Sequence, residues 1–152
     1  MAVDAVLADL DRRGATPAAV EAGGDFAVGG LPPGRASWPI RIELPSGALD
    51  LELPRGAAAT SGISRRTWRV DGELRHHLID PRTGRPAVTD LLSVTVAAAS
   101  CREAEVVAKC ALILGRADGA ALLRRLGLTG LLVTEDGVPH PVGWTLDDGV
   151  AA

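Results

Sequence analysis

From Leu92 to Gly127 the sequence marks the ends of one strand and two helices, and this run constrains the fold more than any other. Leu92–Ala98 alternates as a strand does. Ser100 stands at an N-cap position with Glu103 three residues on, the pattern of a capping box opening a helix over 102–114. Gly115 supplies its stop, and a second helix over about 117–126 ends at Gly127.

The rest of the chain is mostly strands. Residues 2–13 form an amphipathic helix, with Val3, Val6, Leu7 and Leu10 on one stripe and Gly14 at its end. A short strand at Ala18–Glu21 enters Gly23-Gly24-Asp25, with Phe26–Val28 as its continuation, and Gly29–Ala36 is a loop. Trp38–Leu44 alternates and turns at Pro45-Ser46-Gly47 into Leu49–Leu53. Asp71-Gly72 is a two-residue hairpin signal joining Arg66–Val70 to Glu73–Ile79. Gly130–Thr134 and Val138–Val142 flank Glu135-Asp136-Gly137 as a last hairpin. Strands gathered ahead of a helical pair indicate an α+β fold, a mostly antiparallel sheet with flanking helices. Residues 1–144 form the expected domain and Thr145–Ala152 a frayed tail.

Composition narrows the function. A net charge of −3 with no basic stripe, one Phe, three Trp and no Tyr argue against nucleic acid as a partner. Cys101 and Cys110 fit neither a metal pair nor a disulfide framework and read as small core residues. The N-terminus shows no signal peptide, and no uncharged run approaches the roughly 20 residues that span a bilayer. As written, the chain reads as cytoplasmic. Lys109 is its single lysine.

One segment stands apart: His76-His77-Leu78-Ile79-Asp80-Pro81-Arg82-Thr83-Gly84-Arg85-Pro86. It sets imidazoles at a strand end beside a tight turn, which Asp80 is expected to hold through Asx-type hydrogen bonds. Alternation along the strand points His76 away from His77 and gives it no role. By itself, a histidine here is more often a surface or core-edge residue than a base.

Together with Val3-Asp4, Gly23-Gly24-Asp25, Ala59-Thr60-Ser61-Gly62, Ser93-Val94-Thr95-Val96 and the helix before Gly115, this run resembles the ApbE-type FAD:protein FMN transferases. The resemblance covers nearly the whole chain but only the C-terminal half of such a protein. It implies an ApbE/T-fold-like architecture, and a reaction that moves FMN from FAD, as substrate, onto a Thr or Ser of a target flavoprotein, releasing AMP. Many members of the family are exported lipoproteins. By the same resemblance His77 matches the histidine proposed to take the hydroxyl proton. Leu78 and Ile79 match positions that approach the flavin dinucleotide, as do, less closely, Thr60 and Ser61. Gly23-Gly24-Asp25 reads as structural.

The chain departs from the family pattern on helix 102–114. Where the family shows an Asp and a Thr as Mg²⁺ ligands four residues apart, this chain has Glu105 and Lys109. A helical wheel stacks the two on one face, opposite Val107, Cys110 and Leu114. Three readings stand open: a surface ion pair worth a few tenths of a kcal/mol, a lysine that supplies charge to phosphate in place of the metal, and Mg²⁺ on Glu105 as in the family. A chain matching half a transferase is expected to work only as a homo-oligomer or with a complementing N-terminal half. The alternative is a non-catalytic flavin- or nucleotide-binding or structural remnant. A true half is also expected to expose a large apolar face.

Overall fold

A computed structural model describes residues 2–144; the expected tail over Thr145–Ala152 lies outside them. In chain order the elements are α1 (Ala2–Arg12), β1 (Ala18–Ala22), β2 (Asp25–Gly29), β3 (Trp38–Leu44), β4 (Gly47–Leu53) and β5 (Gly56–Gly62). There follow β6 (Thr67–Val70), β7 (Glu73–His76), β8 (Ile79–Asp80), β9 (Arg85–Pro86) and β10 (Leu91–Ala98). Helices α2 (Cys101–Leu114) and α3 (Arg116–Leu126) lead into β11 (Thr129–Thr134) and β12 (Pro139–Val142). Among the described residues, one antiparallel sheet runs in the order β1-β2-β5-β10-β11-β12, and β3-β4, β6-β7 and β8-β9 are separate hairpins. The fold is α+β with a mostly antiparallel sheet and flanking helices. Among the described residues no helix is long and apolar enough to cross a membrane.

Alternation sorts the sheet's side chains onto two covered faces. Ala27, Ala57, Ala59, Val94, Val96 and Leu132 face the helices, packing with Val3 of α1 and with Cys101, Ala104, Ala108 and Leu112 of α2. Val28, Ala58, Leu131 and Val133 face the β3-β4 hairpin, where Ile40, Leu49, Leu51 and Leu53 meet them. Alanines on both α2 and β5 let helix and sheet approach closely. At Gly56 an added Cβ would stand 2.4 Å from the Ala98 carbonyl oxygen.

The capped helices form as the sequence indicates. Ser100 Oγ accepts the Glu103 N–H at 3.3 Å, and Gly127 closes α3 in the left-handed conformation. Elsewhere the structure differs. Phe26–Val28 does not continue β1: Gly23 and Gly24, both at positive φ, fold β2 back onto it, pairing Ala18 with Gly29. Ala57–Gly62, which carries no alternation to read, is a central strand. Val6 is exposed, and on α1 it is Val3 that reaches the core.

Helices α2 and α3 cross at Gly119, where an added Cβ would lie 2.5 Å from the Ala111 carbonyl oxygen. Within a helix, alanine is ordinarily better than glycine by about 1 kcal/mol. Here the clash reverses the sign, and Gly119→Ala is expected to cost about 1–3 kcal/mol. Urea denaturation checks this; an unchanged or raised midpoint would show that the crossing yields.

Candidate functional site

The hairpin strand that carries the histidines stops earlier than its alternation suggests. β7 ends at His76, His77 sits at a bend, and β8 begins at Ile79. The break follows from Leu78, whose side chain is buried with Val107, Ala108 and Leu112 of α2. Its N–H donates to His76 Nδ1 at 3.3 Å, and its carbonyl accepts the Ala87 N–H at 3.0 Å. The Leu78 side chain is thus packed into the core, whereas Ile79 is exposed. His76 is not idle either, since its Nε2 lies 3.0 Å from the Ala87 carbonyl oxygen. The expectation that it has no role rested on a continuous strand, and the bend removes that ground.

His77 itself is half-buried, and its Nδ1 is buried with no hydrogen-bond partner. Leaving such an atom unpaired costs about 1–3 kcal/mol, an unusual arrangement in a native fold.

The turn after the bend is held by Asp80, as its Asx pattern predicts. Asp80 Oδ1 accepts the Arg82 N–H at 2.9 Å, and its carbonyl accepts the N–H groups of Thr83 (3.2 Å) and Gly84 (2.8 Å). Gly84 adopts a φ of +67° to close the turn. Hydrogen bonds from the Arg82 side chain and then from its backbone hold the Asp80 carboxyl below its ordinary value. A depressed carboxyl adds stability above the unfolded pKa of about 3.9, and that stability is lost as pH falls through the folded value. The stability difference between wild type and Asp80→Asn is therefore expected to shrink on acidification below about pH 4. Urea midpoints across that range test it; a difference constant with pH would refute the assignment.

The second group of site residues lies on α2. Its buried stripe is Cys101, Ala104, Val107, Ala108, Ala111 and Leu112. Cys110 and Leu114 turn to solvent instead, so the expected burial of Cys110 and the wheel's placing of both with Val107 are corrected. Glu105 and Lys109 flank the stripe as an ion pair, their side chains 27% and 41% exposed. Asp25, at the head of β2, faces the same helix. Burial and then the Glu105 charge push its carboxyl up, and Lys109 opposes them. Asp4 caps α2, accepting the N–H groups of Cys101 (2.8 Å) and Arg102 (3.1 Å). The Cys101 thiol is pushed up to about 11, by burial first and then by Asp25, Asp4 and Glu105, so it is no nucleophile at neutral pH. Sequence reasoning left Asp4 and Asp25 without site roles, although both stand in motifs that carry the resemblance.

Among the described residues, no three His, Cys, Asp or Glu side chains are placed to hold a metal ion. Glu105, the expected Mg²⁺ ligand, is already engaged by an ammonium. These residues do not fit Mg²⁺.

Thr60 and Ser61 do not share a pocket. Ser61 is buried on the helix face. Thr60 points the other way, its Oγ1 2.8 Å from that of Thr95, and lines a cleft of about 290 Å³ beneath the β3-β4 hairpin.

The ApbE family model matches residues 1–132. The chain belongs to the ApbE family. The FAD:protein FMN transferase of Vibrio cholerae is 35% identical over 144 residues, covering 89% of this chain and 42% of the relative. That of Treponema pallidum is 32% identical over 147 residues, covering 88% and 41%. The apo crystal structure of the Pseudomonas stutzeri flavinyl transferase ApbE gives a TM-score of 0.78 at 31% identity, covering 93% of this chain and 46% of that one. The ApbE protein of Thermotoga maritima gives 0.74 at 31% identity, covering 91% and 49%. The chain thus spans about two fifths of the length of these curated ApbE relatives.

Proposed function

We propose that this chain carries the hydroxyl-activating part of an FAD:protein FMN transferase. The observation that supports it best is the buried, unpaired Nδ1 of His77, on a bend held on either side by hydrogen bonds of His76 and Leu78. In this reading a threonine or serine hydroxyl of a target flavoprotein attacks the FMN-side phosphorus of FAD. The phosphorus–oxygen bond to AMP breaks, AMP leaves, and His77 takes the hydroxyl proton. Ile79 and Ser61 remain the pocket residues of this proposal; Thr60 lies on the far side of the sheet.

Lys109 supplies positive charge toward the pyrophosphate. An ammonium has three donors, and the ion pair with Glu105 leaves others free for phosphate oxygens. No step is assigned to Mg²⁺.

The test mixes the chain with FAD and an acceptor flavoprotein and follows covalent FMN by in-gel fluorescence. It is run on the chain alone and with the part of the Vibrio cholerae transferase that the chain does not match. His77→Ala is expected to slow transfer about 10²–10⁴-fold with FAD affinity retained. A variant as fast as wild type would remove His77 from the chemistry. In the same assay with a chelator, wild type is expected to keep its rate and Lys109→Ala to lose it. Strict Mg²⁺ dependence untouched by Lys109→Ala would refute the lysine's role. The closed Glu105–Lys109 pair also favours a second reading, a non-catalytic flavin- or nucleotide-binding role. FAD binding seen by fluorescence, without transfer in any arm, would decide for it.

A further inference from the structure

We infer that His76 is the positioning residue that sets the bend carrying His77, an assignment that rests on His77 being the reactive histidine. Three hydrogen bonds form a closed circuit around the bend. The Leu78 N–H reaches His76 Nδ1 at 3.3 Å, the Ala87 N–H reaches the Leu78 carbonyl at 3.0 Å, and His76 Nε2 lies 3.0 Å from the Ala87 carbonyl oxygen.

The circuit fixes the tautomer. An amide N–H can only donate, so Nδ1 is the bare nitrogen and Nε2 carries the proton that Ala87 accepts. His76 is therefore one donor and one acceptor in a single rigid ring, spanning the residue on its C-terminal side. Leu78 and Ala87 are both buried, so neither amide has water to replace a lost partner. His77 stands between His76 and Leu78 with no hydrogen bond of its own at Nδ1. Its placement comes from the two residues beside it.

The experiment uses the full chain, labelled with ¹⁵N. Wild type is expected to show His76 as the Nε2–H tautomer. His76→Phe keeps the ring's bulk but removes both nitrogens. In it the Leu78 amide is expected to exchange about tenfold faster, and the His77 ring resonances to move toward those of an open imidazole. His76→Gln offers an amide oxygen to Leu78 and an N–H to Ala87, and is expected to restore both signals. An Nδ1–H tautomer at His76 overturns the inference. So does a His76→Phe variant with wild-type Leu78 exchange and His77 resonances, because bulk alone would then suffice. If His76→Phe does not fold, the wild-type tautomer and the His76→Gln comparison still decide. None of these readings uses flavin transfer, so an inactive wild-type chain would count against the proposed function and leave this result standing.

Discussion

The seat of α2 on the sheet is the contact on which the other features depend. Ala104, Ala108 and Ala111 are fully buried on the helix, and Ala57 and Ala59 meet it from β5. Small side chains on both surfaces leave little volume to rearrange, so the helix has one close-packed position. Its first turn is fixed from outside by Asp4 and from its own start by Ser100. Glu105 and Lys109 are held at the edge of this seat, and Leu78 enters the same core beside Val107 and Ala108. Both halves of the candidate site are thus located by one packing event. A shift of α2 would move the ion pair and the histidine bend together.

The electrostatics of the helix face follow from that packing. After burial, the nearby charge of Glu105 pushes the Asp25 carboxyl up, and Lys109 acts on it as an internal counter-ion. A buried carboxylate without a compensating cation is costly. The fold places a tethered ammonium here, whose charge cannot diffuse away. Any anionic ligand must compete with Glu105 for it, which makes Glu105 the residue that limits how far Lys109 can serve a phosphate.

Much of the fold was legible wherever local chemistry decides it. The Ser100 cap, the Gly115 and Gly127 stops and the Asp71-Gly72 turn are short-range signals, and each appears as read. What could not be read is what long-range packing decides. Ala57, Ala58 and Ala59 are alike, so no period betrays that β5 is a central strand buried on both faces. Its faces decide Thr60 and Ser61, which the sequence treats as neighbours and the sheet separates. Cys110 is apolar enough for a core, yet the stripe that meets the sheet is set by the alanines, and the cysteine falls outside it. The β1-β2 reversal needs both Gly23 and Gly24 at positive φ, a requirement only the folded partner strand reveals.

The histidine segment shows most clearly how a motif divides its labour. Asp80 closes the turn, Leu78 anchors the bend in the core, and His76 ties the bend to Ala87. His76, Leu78 and Asp80, on either side of His77, are each engaged in hydrogen bonds that hold this conformation. A side chain that must change its proton during a reaction is best left outside such a network, because any partner that stabilises one protonation state opposes the other. The unpaired Nδ1 of His77 is then consistent with a rigid frame built around one uncommitted group. Paired histidines in sequence become unlike in structure: His76 is tied to Leu78 and Ala87 through its two ring nitrogens, whereas the Nδ1 of His77 is buried with no hydrogen-bond partner.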